Sequence, residues 1–113
     1  MSQNPGVGIN SGATQQVSTK TPLTPSVPTF ATITGTSAQA VASNASRKGL
    51  CIVNLSSDTI SFGLGSNAAV LNSGITLTNK GSVYEMSEYD YVTSAINAIS
   101  SGTSSVISIQ EFT

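Results

Sequence analysis

A chain of 113 residues holds one domain, and with 38% hydrophobic but only 8% charged residues it lacks the ionic surface of an ordinary soluble domain. Its net charge of −1, from four basic and five acidic residues, offers no basic patch for phosphates or anionic lipids, so neither nucleic acid nor membrane is an expected partner. With no histidine and a single cysteine, the commonest general base, the Ser-His-Asp arrangement, an internal disulfide and the usual zinc or iron ligand sets are all excluded.

Residues 1–28 read as an extended N-terminal arm. All four prolines, Pro5, Pro22, Pro25 and Pro28, fall in it, with a single charge at Lys20. The Pro spacing from Thr21 to Pro28 favours a polyproline-like backbone. Val7, Ile9, Val17, Leu23 and Val27 are isolated apolar residues that share no helical or strand period. Alone, such a segment is a mobile arm; beside a partner, its backbone can add to a neighbouring sheet. Those five residues are therefore candidate partner anchors. The first residues have no basic start and no apolar core, so export by a signal peptide is not expected. No apolar run is long enough to span a bilayer as a helix.

Residues 29–113 carry a different texture, with short apolar stretches punctuated by Ser, Thr, Asn and Gly. Phe30–Thr34 is the first predicted strand. Gln39–Ala42 follows as a strand or a helical turn. Lys48–Asn54 is the strongest strand, and Cys51 within it reads as a packed, unreactive thiol. In Thr59–Gly63, Ile60 and Phe62 share one face and Ser61 the other. Ile75 and Leu77 share a face, Ser82–Met86 comes after an Asn79-Lys80-Gly81 turn, Tyr91–Ile99 is a strand or partly helical, and Ser105–Phe112 closes the chain. About seven or eight short strands without a strand-helix-strand unit predict an all-β, antiparallel β-sandwich of jelly-roll type. Its expected core includes Phe30, Ile33, Leu50, Ile52, Val83, Ile107 and Ile109.

Few residues invite chemistry. Glu85, Glu88 and Asp90, interleaved with Tyr84, Tyr89 and Tyr91, are the one acidic cluster. Carboxylates so spaced could hold calcium or form a hydrolase pair; a solvated loop or a patch meeting a partner's basic residues is the plainer reading. Gly63-Leu64-Gly65 lacks the remainder of a phosphate-binding fingerprint and reads as a loop. The chain is read as a non-enzyme with no metal and no cofactor.

The stretch Ala42-Ser43-Asn44-Ala45-Ser46-Arg47-Lys48-Gly49-Leu50-Cys51-Ile52-Val53-Asn54-Leu55-Ser56 resembles a pattern in small virion proteins of tailed bacteriophages. There an Asn-containing turn and an Arg lead into an apolar strand that ends in Asn. Ile60-Ser61-Phe62-Gly63-Leu64-Gly65, Gly74-Ile75-Thr76-Leu77, Gly81-Ser82-Val83-Tyr84-Glu85 and Ile107-Ser108-Ile109-Gln110-Glu111 extend the likeness over about residues 38 to 112. The resemblance implies a capsid decoration, or cement, protein that clips neighbouring major capsid subunits on the outside of the virion. It implies no catalysis. Self-association as a homo-oligomer is compatible with it, and synthesis in the host cytoplasm is expected. Arg47 is either a capsid contact or the residue that fixes the Ser43–Ser46 turn. A tail, fibre or head-tail connector component, or a glycan-binding host-recognition module, is the alternative.

Overall fold

The computed structural model describes residues 21–113. Val7, Ile9 and Val17 lie outside the described residues. Eight strands follow in chain order: β1 (Thr29–Ile33), β2 (Ala38–Val41), β3 (Gly49–Asn54), β4 (Ile60–Gly63), β5 (Ile75–Leu77), β6 (Val83–Met86), β7 (Ile96–Ser100) and β8 (Ser105–Phe112). No described residue is helical.

The strands form two four-stranded antiparallel sheets, β1-β8-β3-β6 and β2-β7-β4-β5. The pairs β1/β8, β2/β7, β3/β6 and β4/β5 are nested, as in one long hairpin rolled over on itself. Rolling brings β8 against β3 and β7 against β4, which closes each sheet. That order is the jelly roll, and the expected β-sandwich is the observed fold.

Alternation along each strand decides what enters the core. In β3, Leu50, Ile52 and Asn54 point inward while Gly49, Cys51 and Val53 point outward. In β8, Ser105, Ile107 and Ile109 point inward. Leu50, Ile52, Ile107 and Ile109 join Ile33, Val41, Ile60, Phe62, Leu77, Met86, Ile96 and Ala98 in one contiguous apolar core. Each fully buried Ile or Leu adds about 2 kcal/mol. Asn54 is buried yet satisfied: its Nδ2 donates to the carbonyls of Asp58 (2.9 Å) and Leu77 (3.4 Å), and its Oδ1 accepts from Ser56.

Two expected core residues lie elsewhere. Phe30 and Val83 are 73% and 49% exposed. Phe30 is three residues from the inward Ile33, so the two cannot share a strand face. Val83 precedes Tyr84, which pairs with the inward Ile52. Cys51 likewise faces outward and is half-buried, not packed inside. Of the ambiguous Gln39–Ala42 stretch, the residues up to Val41 belong to the bulged strand β2 and Ala42 lies beyond it. Tyr91–Ile99 becomes strand only from Ile96; Tyr91–Ala95 is irregular.

Candidate interaction surface

The two outer faces of the sandwich differ. On the second sheet, the loop between β4 and β5 folds back over the strands. Asn72 N donates to Ser61 Oγ (2.8 Å), Asn97 Nδ2 donates to the Asn67 carbonyl (2.8 Å), and Ser66 N donates to the Ala95 carbonyl (3.0 Å). All four residues of β4 are consequently buried, including the outward Ser61 and Gly63. A side chain at position 63 would collide with the carbonyl oxygens of Asn67 and Ala68, so only glycine admits the loop. Beside it, Phe62, Leu64, Val70 and Ile75 line an open apolar groove of about 380 Å³.

Among the described residues, no such loop is bonded across the outer face of the first sheet. One cross-strand row runs Phe30–Ser108–Val53–Val83 in register. The next row is Gln110–Cys51–Glu85, and on the other side Thr32 stands opposite Val106. Phe112 covers Gly49, with its Cβ 3.3 Å from where a glycine Cβ would stand. These rows carry no charge except Glu85 at the margin, and Phe30 and Val83 are their exposed apolar side chains, interleaved with the neutral polar Ser108, Gln110 and Thr32. Burial first, and Glu85 second, push the Cys51 thiol pKa up.

Residues 21–28 prolong this sheet as a strap. Thr24 and Thr113 exchange backbone hydrogen bonds of 2.8 and 2.9 Å, Ser26 N donates to the Glu111 carbonyl, and Glu111 N donates to Ser26 Oγ. Pro25 bridges Phe112. The strap therefore lies beside β8, in line with β1. Of the expected anchors it contains, Leu23 is half-buried and Val27 is 80% exposed.

Arg47 is fully buried, which removes it from any partner surface in this conformation. Its Nε donates to Glu111 Oε1 (3.2 Å), Nη1 to the carbonyls of Val92 (2.9 Å) and Ser94 (3.0 Å), and Nη2 to the Ala42 carbonyl (2.6 Å). Asn44 Nδ2 shares Glu111 Oε1 (2.8 Å), and Asn44 Oδ1 accepts from Ser46 N. The residue is an internal clamp that ties the β2–β3 turn, the irregular 91–95 segment and the end of β8. It also holds the stretch of β8 on which the strap docks.

The acidic cluster is built as a turn. Asp90 Oδ1 accepts from Ser87 N (2.6 Å) and Ser87 Oγ (3.0 Å). Among the described residues no three His, Cys, Asp or Glu side chains are grouped to hold a metal. At the other end of the sandwich, Ser105 Oγ donates to Asp58 Oδ2 and contacts Ser100 Oγ, each at 2.6 Å. Sequence reasoning did not single out this buried polar chain, because its members are 5 to 47 positions apart.

No protein-family model and no curated protein matches the chain. Among solved structures, it is similar to a chain described under "Bacillus endospore appendages form a novel family of disulfide-linked pili", at 16% identity and a TM-score of 0.41, over 86% of this chain and 96% of that one.

Proposed function

We propose that the protein is a structural binding module whose uncovered first-sheet face seats on a repeating protein surface, and that this surface is a phage capsid shell. The asymmetry of the two outer faces carries the reading. A sandwich that covers one face with its own loop and leaves on the other, among the described residues, a nearly uncharged surface with Phe30 and Val83 exposed has one side suited to a partner. The low charge of the whole chain fits a module that spends its working life against other protein. The likeness of residues 38 to 112 to small virion proteins supplies the shell as the partner. On it the protein acts mechanically, since many weak contacts held in register add up across a lattice.

The test is to add purified protein to expanded, undecorated shells and to measure occupancy and shell melting temperature. Saturable binding in proportion to the number of major capsid subunits, with a raised melting temperature, is the expected result. A small fixed copy number per particle would place it in the tail or connector instead. Failure to bind any particle component would end the reading.

A further inference from the structure

We infer that the strap is a latch: its docking beside Glu111 is coupled, through Arg47 and Asn44, to how firmly the irregular 91–95 segment is held. The inference goes beyond shell binding and does not depend on it.

Glu111 is the joint between the two. In an antiparallel ladder a residue turns its N–H and its C=O to the same side. Glu111 turns both to the strap: its N donates to Ser26 Oγ (3.0 Å), and its carbonyl accepts from Ser26 N (2.8 Å). Toward β3, where it stands opposite Leu50, it therefore makes no ladder bond. Its side chain is committed elsewhere, with Oε1 accepting from Arg47 Nε (3.2 Å) and Asn44 Nδ2 (2.8 Å). Those two residues hold the 91–95 segment. Arg47 Nη1 donates to the carbonyls of Val92 and Ser94, and Asn44 N donates to that of Thr93 (2.8 Å). Three successive carbonyls in a stretch without a strand ladder thus depend on donors that Glu111 orients.

The strap is the member that can let go. Of residues 21–28 only Leu23 is half-buried, and the others are exposed. Pro22, Pro25 and Pro28 have no N–H to donate. The strap is held by the polar bonds of Thr24 and Ser26, together with Gln110 Nε2 donating to the Ser26 carbonyl (2.8 Å). Exposed hydrogen bonds with little apolar burial mark a segment that opens before the core does. When the strap opens, Gln110 and Phe112 stay paired with Cys51 and Gly49, while Glu111 between them loses both backbone partners. Its carboxylate then fixes Arg47 and Asn44 less rigidly. Arg47 is fully buried and cannot turn to water instead, so the loosening passes to the carbonyls it holds. The freed segment begins at the exposed Tyr91, two residues after the exposed Tyr89, so the latch governs how this aromatic surface is presented. The coupling runs both ways: a partner that grips the loop in its held form also tightens the strap.

The experiment measures amide exchange in the full chain, without shells, and in two variants. Ser26→Pro removes the N–H and the hydroxyl that meet Glu111, at an exposed site outside the core. The Asn44 amide, bonded to Thr93, reports the held segment. The Asn72 amide, bonded to Ser61 on the second sheet, is the control. Expected in Ser26→Pro is exchange about fivefold faster or more at Asn44, with Asn72 unchanged. Asn44→Ala takes one donor from the Glu111 carboxylate, and exchange at the Thr24 and Ser26 amides should quicken in return. Unaltered exchange at Asn44 in Ser26→Pro would overturn the inference. So would equal quickening at Asn44 and Asn72, the mark of general destabilisation, or strap amides indifferent to Asn44→Ala. None of these outcomes bears on shell binding, which is measured separately.

Discussion

A buried arginine is stable only when every group around it is paired, and Arg47 shows how this is met. Its planar fork spends four N–H groups on one carboxylate and three carbonyls. Arg47→Leu would leave those carbonyls without these donors and Glu111 Oε1 with Asn44 alone, and a loss of about 3–5 kcal/mol is expected from urea unfolding. Arg47→Lys should recover only part of it, because the three donors of an ammonium share one nitrogen and cannot span the four acceptors that the guanidinium reaches from three. The sequence marked Arg47 as unusual but could not place its partner Glu111, which is 64 positions away. A second residue-scale effect concerns pH. Desolvation, then Glu85, raises the Cys51 pKa; desolvation, then Asp90, raises that of Tyr84. The folded chain thus holds both protons more tightly than the unfolded chain. Their contribution to stability is fully present below the ordinary ionisation range and falls as pH rises from roughly 8.5 upward. Urea midpoints should decline through that range. The decline should shrink in Cys51→Ala, and Cys51 alkylation should quicken in Glu85→Gln.

At the scale of elements, strand existence was legible and strand facing was not always so. Period-two runs such as Ile60-Ser61-Phe62 and Ile107-Ser108-Ile109 declared both, and each lies as expected. Hydrophobicity alone would put Phe30 and Val83 in the core, but strand alternation turns both outward. Their outward position is the feature that exposes the interaction surface. The covering of the second sheet was invisible in sequence, since Gly63 there looked like ordinary turn glycine. Its role is to let the Asn67 and Ala68 carbonyls approach the strand. Gly63→Ala should push the β4–β5 loop off the sheet. It should cost about 1–3 kcal/mol, with faster exchange at Asn72 and Ser66, whose amides hold that loop down. Asn72 and Gly74, both at positive φ, mark the return of the same loop to β5.

At the scale of the whole molecule, charge placement sets the kind of binding. Of the described charged side chains, Arg47 is buried and Glu111 and Asp58 are turned to internal partners. The first-sheet face keeps only Glu85, at its margin. Docking through it should therefore draw on apolar burial, not on Coulombic attraction. Phe30 supplies the largest exposed apolar side chain of the β1–β8–β3–β6 rows. Phe30→Asp and Val83→Asp should weaken shell occupancy by tenfold or more, about 1.4 kcal/mol or greater. Both side chains already meet water, so unfolding midpoints should shift little. Salt separates the two driving forces. Surface ion pairs fade once the Debye length falls to a few ångströms, whereas apolar burial persists and is strengthened by sulfate. Occupancy on shells should stay level from about 0.05 M to about 1 M sodium chloride, and rise in ammonium sulfate. A steep fall with sodium chloride would assign the contact to Lys48, Lys80 and the acidic turn instead, and would leave the uncovered face without the role argued for it.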